Sequence, residues 1–129
     1  MKYLIDTNIF LWFVFKDHRL PTYMRAILED EHNFIKLSIA FLLEVTIKVS
    51  NGNLLPNGDL DEFFQSRVID AGLEILPIQI KHLLILRTLP FHHRDPFDRL
   101  IIAQSFAEDL KLLYTDDAFS PYYSQEPEA

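Results

Sequence analysis

The chain opens with the sequence MKYLIDTN, residues 1–8, in which three apolar residues run directly into an acid. Tyr3, Leu4 and Ile5 have the character of a short buried strand. Asp6 follows at once, with Thr7 and Asn8 behind it, and side chains of these types cap helices. The opening therefore predicts a buried strand that ends in an acid and turns into a helix.

The same alternation continues along the chain. Short apolar runs predict further strands at residues 34–37, 73–78 and 112–114, and the runs between them have helical spacing or helix-starting residues. Helices are predicted at residues 9–15, 23–31, 39–50, 59–69, 81–89 and 96–107. Short apolar strands separated by helices indicate a parallel sheet covered on both faces. The predicted fold class is therefore α/β, with a central parallel sheet of about four to five short strands between helices.

The composition fits one compact domain. The chain has 129 residues, 49% of them apolar, and no cysteine, which excludes disulfides and Cys-ligated zinc and is compatible with a reducing cytosol. Residues 1–6 break apolar character too early for a secretory signal, and the apolar stretch 9–15 is far shorter than the roughly 20 residues that span a bilayer. We expect a single cytoplasmic domain over residues 1–129, with residues 124–129 as a loose polar tail and no membrane partner.

Four acids stand where the predicted strands end or where helices are built. They are Asp6, Glu44, Asp98 and Asp116. Ligand sites in open α/β sheets lie beyond the carboxyl ends of the strands, where Asp6 and Asp116 are placed. If these carboxylates converge they repel one another, and a divalent cation such as Mg²⁺ or Mn²⁺ relieves the repulsion. Such a site commonly serves to hydrolyse phosphodiester bonds.

Each acid also has an ordinary structural role available to it. Asp6 can cap a helix, and Asp98 stands three residues after Asp95, where a capping-box acid belongs. Glu44 lies in a segment that is apolar on almost every face, which predicts a buried helix. Its alternative role is an i,i+4 pair with Lys48, and we favour the ligand role there because a buried Glu is rare without a partner.

The remaining polar residues carry weaker signals. His92 and His93 are read as a solvated loop pair. The net charge of −7 argues mildly against a nucleic-acid binder, although it suits a basic protein partner. A local basic patch remains available from three residues: Lys48, Arg94 and Arg99.

Four stretches together resemble the motifs of PIN-domain proteins, in particular the VapC-type toxin branch. They are MKYLIDTN at residues 1–8, LSIAFLLEV at 37–45 followed by Lys48 and NGNL at 51–54, HHRDPFDRLIIAQ at 92–104, and LYTDDAF at 113–119. The similarity covers essentially the whole chain, in order and with matching spacing. The four motifs in this order are far more specific than any one of them.

The resemblance implies a PIN fold and Mg²⁺- or Mn²⁺-dependent cleavage of RNA by a toxin that a co-expressed antitoxin restrains. Carried over by motif, the catalytic and metal-binding acids are Asp6, Glu44, Asp98 and Asp116. Asp117 is the alternative fourth acid, and we choose Asp116 because an aromatic three residues later, Phe119, would pack into the core and set the register.

The resemblance also suggests supporting roles. Asn8 and Ser38 would support the site by hydrogen bonding, while Lys48 and Arg99 would contact RNA phosphates, with surface ion pairs as the alternative. Asn53 stands where the family often has Lys, which removes one basic contact to RNA.

Two other functions and one surface stay open. A phosphohydrolase could use Asp6 as its nucleophile, although it would normally want a second acid where Asn8 stands. A non-catalytic RNA- or protein-binding module is the other alternative. Trp12, Phe13 and Phe15 could serve a homodimer or an antitoxin helix, or simply pack in the core.

Overall fold

A computed structural model of the chain describes residues 1–52 and 59–123. It confirms the predicted alternation of strands and helices. Two short elements of other kinds are a π-helical turn, Gln65–Ile69, and a 3₁₀ helix, Asp117–Tyr122. The elements in chain order are β1 (Lys2–Ile5), α1 (Thr7–Val14), α2 (Thr22–Glu29), β2 (Phe34–Ser38), α3 (Ile39–Ser50), α4 (Leu60–Phe64), β3 (Glu74–Leu76), α5 (Ile80–Thr88), α6 (Pro96–Ala107) and β4 (Lys111–Leu113).

The four strands form one parallel sheet in the order β3-β2-β1-β4. Tyr3 on β1 pairs with Ile35 on one side and with Lys111 on the other. The first strand is central, which explains its apolar sequence, because a central strand of a parallel sheet is covered on both faces. β3 is an edge strand that ends at Leu76, so the predicted strand at residues 73–78 is too long; Pro77 follows directly and has no N–H to donate to the sheet.

Apolar residues of β1 point alternately to two separate core clusters. Tyr3 and Ile5 belong to the cluster that holds Phe10 of α1. Leu4 belongs to the other, which holds Ile101 of α6. This alternation is the period of two of a strand, and it places helices on both faces of the sheet. The predicted three-layer α/β fold is confirmed.

Local capping chemistry sets several of the helix starts and stops. The Ser38 hydroxyl accepts a hydrogen bond from the Ala40 N–H at 3.0 Å, and Asp59 accepts one from Glu62 at 3.2 Å. Asn51 ends α3, and Gly52 follows with a φ of +79°, a left-handed conformation that glycine adopts without strain. The expectations for Asn53 and for the tail at 124–129 lie outside the described residues.

One face of α3 corrects the expectation of a helix buried all round. Ile39, Leu43 and Ile47 are 37, 51 and 43% exposed. Residues four apart share a helix face, so these side chains form a continuous apolar row in solvent. Hydrophobic content alone did not distinguish a core face from a face that is open in the single chain.

The apolar residues at the end of α1 are divided between the core and the surface. Trp12 and Phe13 pack partly buried against the first core cluster. Phe15 is 47% exposed and stacks on Phe63, with ring centroids 6.1 Å apart. Trp12 and Phe13 therefore serve mainly in core packing. None of the helices in residues 1–52 and 59–123 is long and apolar enough to cross a membrane.

Candidate active site

The four predicted acids line one cavity of about 200 Å³. Asp6 follows β1, and Asp116 lies beyond the end of the neighbouring β4; a hydrogen bond of 3.2 Å from the Asp6 N–H to the Leu113 carbonyl joins the two strand ends. Glu44 comes from α3 and Asp98 from the first turn of α6. The remaining lining residues are Thr7, Asn8, Lys48, Asp95 and Phe119.

Asp6 is both a helix cap and an acid of the cavity. Its side chain is 2% exposed, and Oδ1 accepts a hydrogen bond from the Ile9 N–H at 2.8 Å. Burial raises the pKa of Asp6 to about 7, and the nearby carboxylates of Asp98 and Asp116 act in the same direction, against the hydrogen bonds that the carboxylate accepts. The charged form of such a carboxylate is disfavoured, and a proton or a bound cation relieves this.

Asp98 does not complete a capping box. The Asp95 carboxylate caps α6 by accepting hydrogen bonds from the N–H groups of Phe97 and Asp98 at 2.8 and 3.1 Å. The backbone N–H of Asp95, which a capping box would satisfy with Asp98, donates instead to Nδ1 of His93 at 3.1 Å. Burial raises the pKa of Asp98 to about 6, with Asp95 the next cause and the His93 ring opposing.

His93 is the residue that the sequence interpretation missed. Its side chain is 11% exposed, and Nε2 lies 3.1 Å from Oδ2 of Asp98. Because Nδ1 of His93 accepts a hydrogen bond, the proton of the ring is on Nε2. The Nε2–H group is buried without a well-aligned acceptor, so the contact with Asp98 is mainly electrostatic. His92 is exposed, as expected, but His93 is not. The expectation of a solvated pair is therefore wrong for His93. Its position two residues before the Asp95 cap was the available signal.

Glu44 is held by a residue of the first motif. The Thr7 hydroxyl donates to Oε1 of Glu44 at 2.6 Å, and Thr7 itself is 6% exposed. Lys48 lines the same cavity, yet no ion pair within 4.0 Å joins it to Glu44 in the described part of the chain. The hydrogen bond from Thr7 therefore replaces the i,i+4 pair as the structural partner of Glu44.

Asp116 and Asp117 point to different places. Asp116 lines the acidic cavity and caps the 3₁₀ helix by accepting a hydrogen bond from the Ala118 N–H at 2.9 Å. Asp117 lines a neighbouring cleft. Phe119 is 2% exposed, so the buried aromatic that was expected to set the register does pack in the core. This arrangement favours Asp116 as the fourth acid.

Two of the expected supporting residues stand apart from the cavity. Ser38 is fully buried and caps α3, and it is not among the described lining residues. Its support is therefore to the position of the helix that carries Glu44. Arg99 is 6% exposed; its guanidinium donates to the Leu89 carbonyl at 3.0 Å and lies 4.0 Å from the ring of Phe91. These contacts keep Arg99 inside the protein and away from the cavity, whereas Lys48 and Asn8 line it.

The donors of the cavity suit a hard divalent cation. Carboxylate oxygens are the ligands that Mg²⁺ prefers, and two of the acids have raised pKa values because they are buried beside other acids. In residues 1–52 and 59–123, no three His, Asp or Glu side chains are close enough to hold one ion as they stand. Carboxylates without a counter-ion repel one another and stay apart. The acids therefore line one cavity but do not form a complete coordination shell.

Comparison with known proteins agrees with the fold and with the motifs. The family model for the PIN domain matches residues 3–123. No curated protein is a significant match to the chain. Among solved structures, the chain is similar to VapBC2 from Rickettsia felis bound to a DNA fragment from their promoter, with 22% sequence identity, a TM-score of 0.69, and coverage of 95% of this chain and 94% of that chain. The family match spans almost the whole chain, and the chain therefore belongs to the PIN domain family.

Proposed function

We propose that the chain is a metal-dependent endoribonuclease that hydrolyses RNA phosphodiester bonds, and that it is the toxin of a toxin–antitoxin pair. The observation that carries the proposal is the convergence of four acids from distant parts of the chain on one cavity beside Lys48. Membership of the PIN domain family supports it. Asp6, Asp98 and Asp116 would hold Mg²⁺ or Mn²⁺, with Glu44 binding directly or through water.

The chain's own residues then have distinct tasks. When bound, the cation lowers the pKa of water so that hydroxide is available near pH 7, and it neutralises charge on the phosphoryl oxygens. Glu44 or Asp116 orients the attacking water and takes its proton. Thr7 keeps Glu44 in place. Lys48 contacts a phosphate of the RNA. The water oxygen bonds to phosphorus as the P–O3′ bond breaks, and the leaving 3′-oxygen takes a proton from solvent water, which gives a 5′-phosphate and a 3′-hydroxyl.

A protein partner belongs to the same proposal. The similar structure is a complex, VapBC2 bound to a DNA fragment from their promoter. We propose that an antitoxin of this kind restrains the present chain in the cytoplasm, where the RNA substrate is. The net charge of −7 favours a partner with a basic contact surface.

Cleavage of end-labelled RNAs tests the function. Single-stranded RNA labelled at either end should be cut internally with Mg²⁺ or Mn²⁺ and left intact with EDTA, with a 5′-phosphate on the downstream product. Binding without cleavage, over several RNAs and both metals, would favour the non-catalytic module. A covalent phosphoryl adduct trapped on Asp6 would favour the phosphohydrolase.

We further propose that the chain is a homodimer. The apolar row on α3 is accompanied by exposed Ile80, Leu83 and Leu84 on α5, at 76, 46 and 59% exposure, and both helices pack against α6. Exposed apolar area of this kind marks association surfaces. Leu84→Glu should convert a dimer to a monomer in light scattering, while Ile69→Glu, at a 50% exposed position outside these helices, should not. A wild-type monomer, or dimers in both variants, would contradict the proposal.

His93 provides a prediction about positioning. Nε2 of His93 lies 3.1 Å from Oδ2 of Asp98, so His93→Gln, whose amide nitrogen reaches the same place, should retain Mn²⁺ affinity and turnover within a few-fold. His93→Asn is too short to reach Asp98 and should weaken Mn²⁺ binding, measured by calorimetry, by about 10- to 100-fold, as loss of a partner of a metal ligand commonly does.

The two variants separate positioning from folding. Equal losses in His93→Gln and His93→Asn, with equal loss of thermal stability, would indicate that the ring serves only to pack against Phe119, which it contacts edge-on at 5.2 Å.

A further inference from the structure

A second cleft, of about 560 Å³, lies beside the acidic cavity and has a different chemistry. Its walls come from α1, the loop that follows it, the start of α2 and the segment after β4. Aromatic side chains and one arginine dominate the lining. The residues that carry the argument are Trp12, Arg19, Tyr23, Tyr114, Thr115 and Asp117.

The cleft and the acidic cavity are lined by neighbouring residues of one segment. Thr115 and Asp117 line it, and Asp116 between them lines the acidic cavity. A polynucleotide with one phosphate at Asp116 would therefore have an adjacent nucleotide beside the cleft. One backbone segment, residues 115–117, therefore forms part of both sites.

Two aromatic side chains of the cleft, Trp12 and Tyr114, are fixed by contacts with their neighbours. The Arg19 guanidinium lies 5.0 Å from the Trp12 ring and forms an ion pair with Asp17, with Nη2 to Oδ2 at 2.7 Å. The ring of Tyr114 stacks on both Phe119 and Tyr123, with centroids 5.4 and 5.6 Å apart, so it is a fixed wall of the cleft and the stacking surface falls to Trp12 and Tyr23. Tyr23 is 63% exposed, so its ring has a free face. Little ordering would be needed for a flat ligand to stack there.

The charges in the cleft disfavour phosphate as its ligand. Asp17 neutralises Arg19, and the hydrogen bonds from Arg19 lower the pKa of Asp17 to about 2, so the pair is ionised at neutral pH. Asp117 adds a negative charge to the lining. An uncharged planar group fits better than an anion, because stacking on aromatic and guanidinium planes does not depend on net charge.

We infer that this cleft binds a nucleobase of single-stranded RNA next to the phosphate that is cut. The inference rests on the proposed nuclease function and adds a binding site for one base of the substrate. A paired base is already stacked within a duplex, so the cleft selects unpaired RNA. Specific recognition of RNA commonly uses splayed bases on aromatic side chains in this way.

Trp12 offers a direct readout because it is the single tryptophan of the chain. The Asp98→Asn variant with Mg²⁺ keeps the RNA intact during titration. An eight-nucleotide single-stranded RNA should change the Trp12 fluorescence on binding. The same oligonucleotide with abasic riboses, and a duplex of the same sequence, should leave the fluorescence unchanged and bind at least about fivefold more weakly.

A matched pair of aromatic truncations completes the test. Tyr23→Ala, in the Asp98→Asn background, should weaken binding of the intact single strand by about 5- to 150-fold, the range found for loss of one stacked base, with little effect on the abasic strand. Phe34→Ala should have no effect, because Phe34 is 58% exposed at the start of β2, at the opposite end of the strands from the acids.

The outcomes are separable from those of the nuclease assay. If wild type cuts RNA but the fluorescence does not respond and Tyr23→Ala binds as tightly as its parent, the inference is overturned, the nuclease stands, and the cleft is left to a protein partner. If RNA is neither cut by wild type nor bound by Asp98→Asn, both proposals fall. Equal binding of intact and abasic strands would also overturn the inference.

Discussion

Asp98→Asn should lower Mg²⁺-dependent RNA cleavage by at least about 10²- to 10³-fold, the cost typical of losing one group that stabilises charge in the transition state. Asparagine has the size of aspartate and leaves the Asp95 cap of α6 intact, so the fold should be unchanged. What is lost is a negative charge in a cavity that is lined by four other acids. Initial rates over a range of Mg²⁺ concentrations, together with circular dichroism, measure both effects.

The comparison extends to the other acids of the cavity. Asp6→Asn and Glu44→Gln should each lose a similar amount of activity, whereas Asp61→Asn, an exposed acid in the first turn of α4, should keep the wild-type rate. If two of the three site variants stayed near wild-type activity, the assignment of this cavity as the active site would be wrong.

Asp6→Asn should stabilise the metal-free protein at pH 8. The pKa of Asp6 is about 7 in the folded chain and 3.8 in its ordinary environment. At pH values between these two, the folded state therefore keeps a proton that the unfolded state has lost. Wild-type stability therefore falls as the pH rises from about 4 to about 7, by up to roughly 4 kcal/mol from this group. Asp98, with a pKa of about 6, adds to the same trend. Asparagine cannot ionise, yet its side-chain oxygen can still cap Ile9.

Chemical denaturation at pH 4 and pH 8, without divalent metal, measures this difference. We expect variant and wild type to be close at pH 4 and the variant to be the more stable at pH 8, with Mg²⁺ raising the stability of wild type and closing the gap. A variant that is less stable at both pH values would show that Asp6 acts only as a helix cap and that its buried charge does not destabilise the folded protein.

The local parts of the fold could be predicted from the sequence. A strand such as β1 is recognisable because its three apolar residues are bounded by capping side chains, and the α6 start is recognisable because Asp95 and Pro96 suit a cap and a first helical position. These features depend on neighbours within a few residues. Three of the four acids could be connected with strand ends or helix starts for the same reason.

Features that depend on tertiary contacts could not be predicted in this way. Thr7 and Glu44 are 37 residues apart, and their hydrogen bond exists only once α1 and α3 meet. The burial of Arg99 requires the end of α5 to present its carbonyls to α6. His93 lies against Asp98 and Phe119, whereas its sequence neighbour His92 stays in solvent. The position of His93 two residues before the Asp95 cap is a local signal, but its burial depends on these tertiary contacts.

Calorimetric titration of Mn²⁺ into the metal-free protein at pH 7.5 tests the central claim most directly. The acids of the cavity should bind at least one ion, with release of the proton that Asp6 retains near neutral pH, visible as a dependence of the heat on the buffer. The Asp6→Asn and Asp98→Asn variants should bind much more weakly. An absence of Mn²⁺ uptake by wild type, or uptake that is unaltered in a variant with both substitutions, would contradict the account.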